Sequence, residues 1–331
     1  MPKTINAAFE CFMRDEVNLP NGKPTRARTS RDWLLDKLNT FGEQQNNFPK
    51  LYTSKHMPFG SFARNTKKRP LDDVDILLCM SANGVTYSEI GNTVYMTAPE
   101  GAYPFNQLCS DTSGYVSSIK VLNRVKSYLD QVPQYDKADI KRDGQAMTMK
   151  LSSYDWNFDI VPCFHTTPES DGRQYYIMPD GSGNWMKTDP ARDQHYSTSV
   201  NQANNGNVLS IIRLVKYWNK RGSMVNAPSY LLENLVLNYY ETNSAGKWPD
   251  LELPQVLQYI SNAVYQRVVD QKGLLWDINT LSQEQRDSIS SKAHSHSELG
   301  ATAIQNENTN TAYAFSLWKR ILGSDFPDYE A

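Results

Sequence analysis

The segment Asp73-Val74-Asp75-Ile76-Leu77-Leu78 sets two carboxylates at alternate positions ahead of an apolar run. In a β-strand alternate residues share a face, so Asp73 and Asp75 project together while Val74 and Ile76 enter a core. Two carboxylates side by side repel each other and are best stabilised by a shared cation. Mg²⁺ prefers oxygen ligands together with substrate phosphates. Upstream, Gly60-Ser61 forms a small turn that allows a close backbone approach and supplies a hydroxyl, both suited to a triphosphate tail. The basic run Lys67-Lys68-Arg69 lies between the two elements. As one unit, the stretch suits a metal ion and a nucleoside triphosphate.

Gly60-Ser61, a spacer from Phe62 to Asp72, and Asp73-Val74-Asp75 together resemble the nucleotidyltransferase superfamily of the DNA polymerase β type. A site with two metal ions needs a further carboxylate. In Phe158-Asp159-Ile160-Val161-Pro162 the side chain of Asp159 projects opposite to Phe158 and Ile160, so it faces outward if they pack into the core. A lone strand aspartate is ordinarily an edge or bulge residue. The resembling family, however, takes its third carboxylate from a later strand in a context like Asp-Ile-Val-Pro. Asp155 is the competing candidate; beside Ser152 and Ser153 it reads as part of a turn.

A chain of 331 residues can bury a large core and divides naturally into two lobes. Its 34 basic and 36 acidic residues leave a net charge of −2, so no global basic field exists to grip long nucleic acid. The four cysteines (Cys11, Cys79, Cys109, Cys163) are scattered, with no zinc-type spacing, which argues against disulfides and structural zinc. His294 and His296 are expected on a solvated helix. No apolar stretch of membrane-spanning length and no signal-like start is present, so the expected compartment is the cytoplasm, with no membrane contact.

Along the chain, residues 3–18 and 26–43 have amphipathic helical spacing, separated by the turn Leu19-Pro20-Asn21-Gly22. Residues 116–129 form a further helix, and 146–151 and 158–162 alternate as strands. Residues 166–205 are rich in Asp, Gly, Ser, Asn and Pro and read as irregular. The lobe boundary is expected at 205/206, giving a catalytic lobe over 1–205 and a helical lobe over 206–331. In the latter, Ile211, Ile212, Leu214, Val215 and Trp218 give one apolar face, and Ser229 opens another helix. On periodicity alone Lys216 is a snorkelling lysine and Tyr230 an amphipathic aromatic.

The run Leu214-Val215-Lys216-Tyr217-Trp218-Asn219, with Ser229-Tyr230-Leu231-Leu232-Glu233 after it, resembles the helical lobe of oligoadenylate synthetases and of bacterial cyclic-oligonucleotide synthases, the CD-NTases. The segment Trp318 to Pro327 is similar to the bacterial group. The resemblance implies an α+β, two-lobed fold: a mixed-sheet catalytic lobe, a helical bundle, and an active site in the cleft. It implies that Asp73, Asp75 and Asp159 hold two Mg²⁺ ions, Mn²⁺ being the alternative. Gly60, Ser61, Lys216, Ser229 and Tyr230 would bind nucleotide, with ATP as one substrate and the second base open. It further implies a cyclic di- or trinucleotide product in anti-phage signalling. A linear or RNA-terminal product, or a silent nucleotide-binding protein, are the alternatives. The zinc-bearing insertion of the animal cyclic GMP–AMP synthase is absent, so duplex DNA is not an expected partner. The resemblance leaves room for regulatory or ligase proteins, the latter acting on a short, mobile tail ending at Ala331, which on its residues alone reads as a frayed end.

Overall fold

The computed structural model describes residues 2–43, 47–131 and 138–330. They form two compact units: Gly22–Ala63 with Leu71–Ala191, and Met1–Asn21 with Arg64–Pro70 and Arg192–Ala331.

In the first unit a long helix, α2 (Lys23–Glu43), precedes a mixed sheet. A two-residue strand β1 (Met57–Pro58) and a single helical turn α3 (Gly60–Ala63) lead into the eight-residue strand β2 (Asp73–Met80). A hairpin of β3 (Thr86–Ile90) and β4 (Thr93–Thr97) follows, then helix α4 (Ser118–Leu129). The remaining strands are β5 (Asp139–Asp143), β6 (Ala146–Lys150), β7 (Asn157–His165), β8 (Tyr176–Pro179) and β9 (Trp185–Thr188). Among the described residues the sheet runs β1-β2-β7-β8-β9-β4-β3, with β6 and β5 branching from β7. Among the described residues only β2 and β7 pair in parallel; the other pairs are antiparallel. One edge of β7 meets β2 along its length, while β6 takes the first half of the other edge and β8 its end. This makes β7 the centre of the unit. Val74, Ile76, Phe158, Ile160, Met147 and Met149 are fully buried on one face of these strands, and the alternate positions carry the polar residues.

The second unit is helical. Its elements are α1 (Ile5–Phe12), continued by a π-helical turn over Met13–Val17, α5 (Pro190–Ala203), α6 (Val208–Asn219), α7 (Ser229–Tyr240), α8 (Pro249–Ala263), α9 (Gln283–Asn306) and α10 (Thr311–Leu322). The helix starts follow local chemistry. The Thr4 hydroxyl accepts from the Ala7 N–H, Pro249 stands at the first position of α8, and Ser282 with Gln285 forms a capping box ahead of α9. Gly300 lets α9 approach α8, because a Cβ there would lie 2.6 Å from the Pro254 ring. Phe9 meets Trp318 edge-on at 4.8 Å, and Phe326 packs against Phe9 and Phe12. These contacts explain why the N-terminal helix clusters with the helical unit, not with the catalytic lobe to which the 1–205 division assigned it.

The structure departs from the sequence expectations in three further places. Residues 166–205 hold β8, β9 and α5. On α5 Asp193 and Ser197 are buried beside Val200, and Asn204 is buried just past its end, so no apolar period marks it. His296 is buried, and its Nδ1 accepts from the Trp218 indole at 2.8 Å; only His294 is solvated. The tail is docked, not loose. Phe326 is buried, Asp328 pairs with Lys319, Tyr329 packs on Phe315, and the Glu330 N–H reaches the Pro2 carbonyl. Ala331 lies outside the described residues.

Candidate active site

Register brings the three aspartates together. Asp75 pairs with Asp159 across the parallel β2–β7 ladder, and Asp73 pairs with Asn157. Adjacent strands lie about 4.8 Å apart, so the carboxylates of Asp75 and Asp159 are lateral neighbours and Asp73 sits two positions along the same face. All three are half-buried. The Thr148 hydroxyl, opposite Asp159 on β6, donates to Asp159 Oδ1 at 2.7 Å. It orients that oxygen of the carboxylate.

Gly60 is placed by β1. Pro58 pairs with Ile76, and the Phe59 N–H donates to the Asp75 carbonyl at 3.3 Å. Gly60 then adopts φ +74°, and a Cβ built on it would come within 2.0 Å of Asp75 Oδ2. The Asp75 carboxylate therefore occupies the space that a side chain would need, and only glycine fits. Ser61 is half-buried in the turn that Gly60 starts.

The donor set suits a hard cation: it is all oxygen and carries like charges that a cation would neutralise. Among the described residues no three carboxylate, imidazole or thiolate side chains already converge on one point. Asp73, Asp75 and Asp159 are thus aligned as candidate ligands on one face. Asp155 is elsewhere, exposed on the turn before β7 and paired with Lys23 at 2.5 Å.

The helical unit holds the other three candidates. Ser229 is exposed at the first turn of α7, whose N-cap is Pro228 and supplies no side-chain acceptor. The hydroxyl of Tyr230 donates to Asp193 at 2.9 Å, with Asp270 at 3.2 Å, and Arg64 and Lys272 lie over its ring. Lys216 is 4% exposed, and its ammonium meets three acceptors: Glu233 Oε2 at 2.7 Å, and the Thr66 carbonyl and hydroxyl at 3.2 and 3.3 Å. Glu233 also accepts from Arg64 and from the Thr66 hydroxyl. Burial alone would raise the Glu233 carboxyl, but Arg64 and Lys216 outweigh it and hold it down to about 2. Burial pushes the Lys216 ammonium down, against the pull of Glu233. Glu233 is ionised at neutral pH, because it faces two cations.

The sequence reading did not single out Arg64, Thr66, Thr148 or Glu233. The available signal was Glu233 itself: a charge among Leu231, Leu232, Leu235 and Val236 on a helix is rarely buried without a partner.

Parallel strands presenting paired aspartates, a Gly-Ser turn against one of them and a helical unit define a nucleotidyltransferase of the polymerase β type. Two solved structures have this fold over nearly the whole chain. CdnC of E. coli MS115-1, solved with ATP, matches with a TM-score of 0.73 at 18% identity, covering 97% of this chain and 98% of its own. The cyclic AMP-GMP synthase DncV of Vibrio cholerae matches with a TM-score of 0.66 at 11% identity, covering 95% and 93%. No protein-family model matches the chain. A protein of Bacillus cereus (strain VD146) named as a probable cyclic nucleotide synthase is 42% identical over 332 residues, covering all of both chains. The chain belongs to this family of bacterial cyclic nucleotide synthases, the CD-NTases.

Proposed function

We propose that this chain joins nucleoside triphosphates into a cyclic di- or trinucleotide by metal-dependent nucleotidyl transfer. The observation that carries this reading is the row formed by Asp73, Asp75 and Asp159 with Gly60 packed on Asp75. Family membership supports the cyclic product.

Phosphoryl transfer asks a protein mainly to position reactants and to balance developing charge. A ribose hydroxyl oxygen attacks the α-phosphorus of a second nucleotide. A new P–O bond forms, the hydroxyl proton leaves to solvent on the Asp159 side, the bond to the β-phosphate breaks, and pyrophosphate leaves. Asp73, Asp75 and Asp159 would hold two divalent ions, Mg²⁺ or Mn²⁺, which when bound neutralise phosphate charge and acidify the hydroxyl. Asp73 and Asp75 serve the triphosphate side. Asp159, oriented by Thr148, serves the acceptor side. Gly60 and Ser61 give the phosphates a close backbone approach and a hydroxyl. In the helical unit, Ser229 and the first-turn N–H groups of α7 form the kind of helix terminus at which phosphate binds. Tyr230 belongs to the same nucleotide-binding set as the base-stacking candidate, while the Lys216 ammonium, engaged by Glu233 and Thr66, supports the site without touching nucleotide. A relative is recorded in complex with a HORMA protein, CdnC being that relative. A partner of that class is the regulatory protein to try first, and anti-phage signalling is the role to assay with it.

The test is incubation with labelled ATP, GTP, CTP and UTP in Mg²⁺ or Mn²⁺, followed by phosphatase. A phosphatase-resistant product is expected. A sensitive ladder means linear transfer, and no product with any nucleotide, with or without a HORMA partner, overturns the reading.

A further inference from the structure

We infer that Glu233 is a positioning residue of the transfer reaction, acting through Arg64, Thr66 and Lys216 on the chain that joins Gly60-Ser61 to Asp73-Asp75. The inference rests on the functional reading above and adds residues that touch neither phosphate nor metal.

Arg64–Pro70 is short, irregular and critically placed. It begins three residues after Ser61 and ends three before Asp73, and Asn65 within it has a left-handed φ of +58°. Lacking helix or strand bonds, its course is set by what grips it. Arg64 donates to Glu233 at 2.6 Å and to Asp193 at 2.7 Å. The Asn65 carbonyl accepts from Arg213 at 2.7 Å. The Thr66 hydroxyl donates to Glu233 at 2.8 Å, and the Thr66 carbonyl accepts from Lys216. The Arg69 N–H donates to the Val17 carbonyl, and its guanidinium to the carbonyl of Asn18.

Glu233 is the hub. One carboxylate, 1% exposed, takes hydrogen bonds from Arg64, Thr66 and Lys216. Thr66 is fully buried, and the Arg64 side chain is only 9% exposed. A buried ionic cluster of this kind contributes little net stability compared with apolar packing, and its attested use is to specify one geometry. Lys216 fits that role. With three N–H donors and three acceptors it is spent on Thr66 and Glu233. Since a displacement of about 1 Å can cost 10²-fold in rate, loosening this segment would act on turnover through the motifs at both its ends.

The experiment uses the full chain with ATP, GTP and Mg²⁺. Thr66→Val keeps shape and charge while removing the hydroxyl that links Glu233 to Lys216; Glu233→Gln and Lys216→Met complete the set. Thr66→Val is expected to fold, to bind ATP within threefold of the parent by calorimetry, and to lose at least tenfold in kcat with KM little changed. The losses in Lys216→Met and Thr66→Val should be non-additive in the double variant. Hydrogen exchange of the Asp73–Met80 amides should quicken in Thr66→Val while α8 and α9 keep their protection. Turnover of Thr66→Val within twofold of the parent, or multiplying losses in the double variant, overturns the inference. If Glu233→Gln does not fold, Thr66→Val decides alone. Should the parent make no product, the functional reading fails, and unchanged exchange in Thr66→Val then defeats the positioning role separately.

Discussion

Asp75 on β2 and Asp159 on β7 are register partners on neighbouring parallel strands, and they bring two acidic side chains from distant parts of the sequence into lateral contact range. Parallel pairing requires a long crossover between the strands, which here contains β3, β4, α4, β5 and β6. The juxtaposition is electrostatically unfavourable without a counter-ion. A fold that maintains it invites a test of what the two carboxylates do separately.

Asp159→Asn removes one charge but keeps an oxygen for the Thr148 hydroxyl. ATP with Mg²⁺ should bind at near-parental strength, since Asp73, Asp75, Gly60 and Ser61 are intact. Turnover should fall by at least about 10²-fold, the lower end of what a positioned proton-removing group contributes. The variant should be no less stable, because a like-charge repulsion is relieved. Calorimetry and product chromatography on the same preparation check this. Turnover within about tenfold of the parent would exclude Asp159 from the chemistry, and lost ATP binding with a lowered melting temperature would make it structural.

Gly60→Ala tests the close approach. Its Cβ would fall 2.0 Å from Asp75 Oδ2, so the carboxylate must move. A positive φ costs alanine about 1–2 kcal/mol as well. The expected result is a folded protein, destabilised by roughly that amount, with turnover reduced by about 10²-fold or more through misplacement of Asp75. Gly84→Ala, at φ +86° with only the Pro99 ring at 3.7 Å, carries the backbone cost without that clash. Equal activity losses in the two variants would show that strain, not the Asp75 contact, is responsible.

What was legible in the sequence follows physical range. Asp73 and Asp75 declared a common face because the strand period is local. The apolar faces of α6 and α7 were readable for the same reason, since their contacts recur every turn. Asp159 could be nominated only because a site with two ions needs another carboxylate and the resembling family takes it from a context like Asp-Ile-Val-Pro; its alignment with Asp75 is a property of strand order. Glu233 offered a signal, as a charge on an apolar helix, but its partners were out of reach, since they lie 17, 167 and 169 residues away and carry no shared period. The helix α5 escaped because its buried side sets Asp193 and Ser197 beside Val200, and the docked tail because Phe326 is a single anchor in an otherwise polar stretch.

Two histidines make stability fall with acid. In the sheet unit, His56 Nδ1 accepts the Cys79 N–H at 3.0 Å while Nε2 lies 2.9 Å from Asn39 Oδ1. In the helical unit, His296 Nδ1 accepts from Trp218. Both Nδ1 atoms must be unprotonated to do so, and burial pushes each imidazole down to about 4. In the unfolded chain both titrate near 6.5. Between these values the unfolded state binds more protons, so stability is full above about pH 6.5 and is lost as pH falls towards 4. Melting temperatures measured from pH 7.5 to 4.5 should trace this loss. His296→Gln keeps an acceptor for Trp218 without a titrating group, and should flatten the slope by one proton's share. An unchanged slope in both His296→Gln and His56→Gln would remove the histidines as its source.

Phe326 fastens the C-terminal end to the N-terminal helix. It is 1% exposed, with ring centroids 5.1 Å from Phe9 and 5.4 Å from Phe12, and Phe315 stands at 6.2 Å. Phe326→Ala should therefore cost about 3–5 kcal/mol, the range for truncating a buried aromatic. The residues beyond it contribute differently. Asp328 makes an exposed ion pair with Lys319, and Tyr329 packs on Phe315 while remaining 36% exposed. An exposed ion pair of this kind is worth about 0–1 kcal/mol, so Asp328→Asn should be nearly neutral. Urea unfolding of the two variants beside the parent separates the contributions. A loss below about 1 kcal/mol in Phe326→Ala, outside the buried-aromatic range, would show that the ring does not anchor the tail. A large loss in Asp328→Asn would instead move the fastening point to the ion pair at the end of α10.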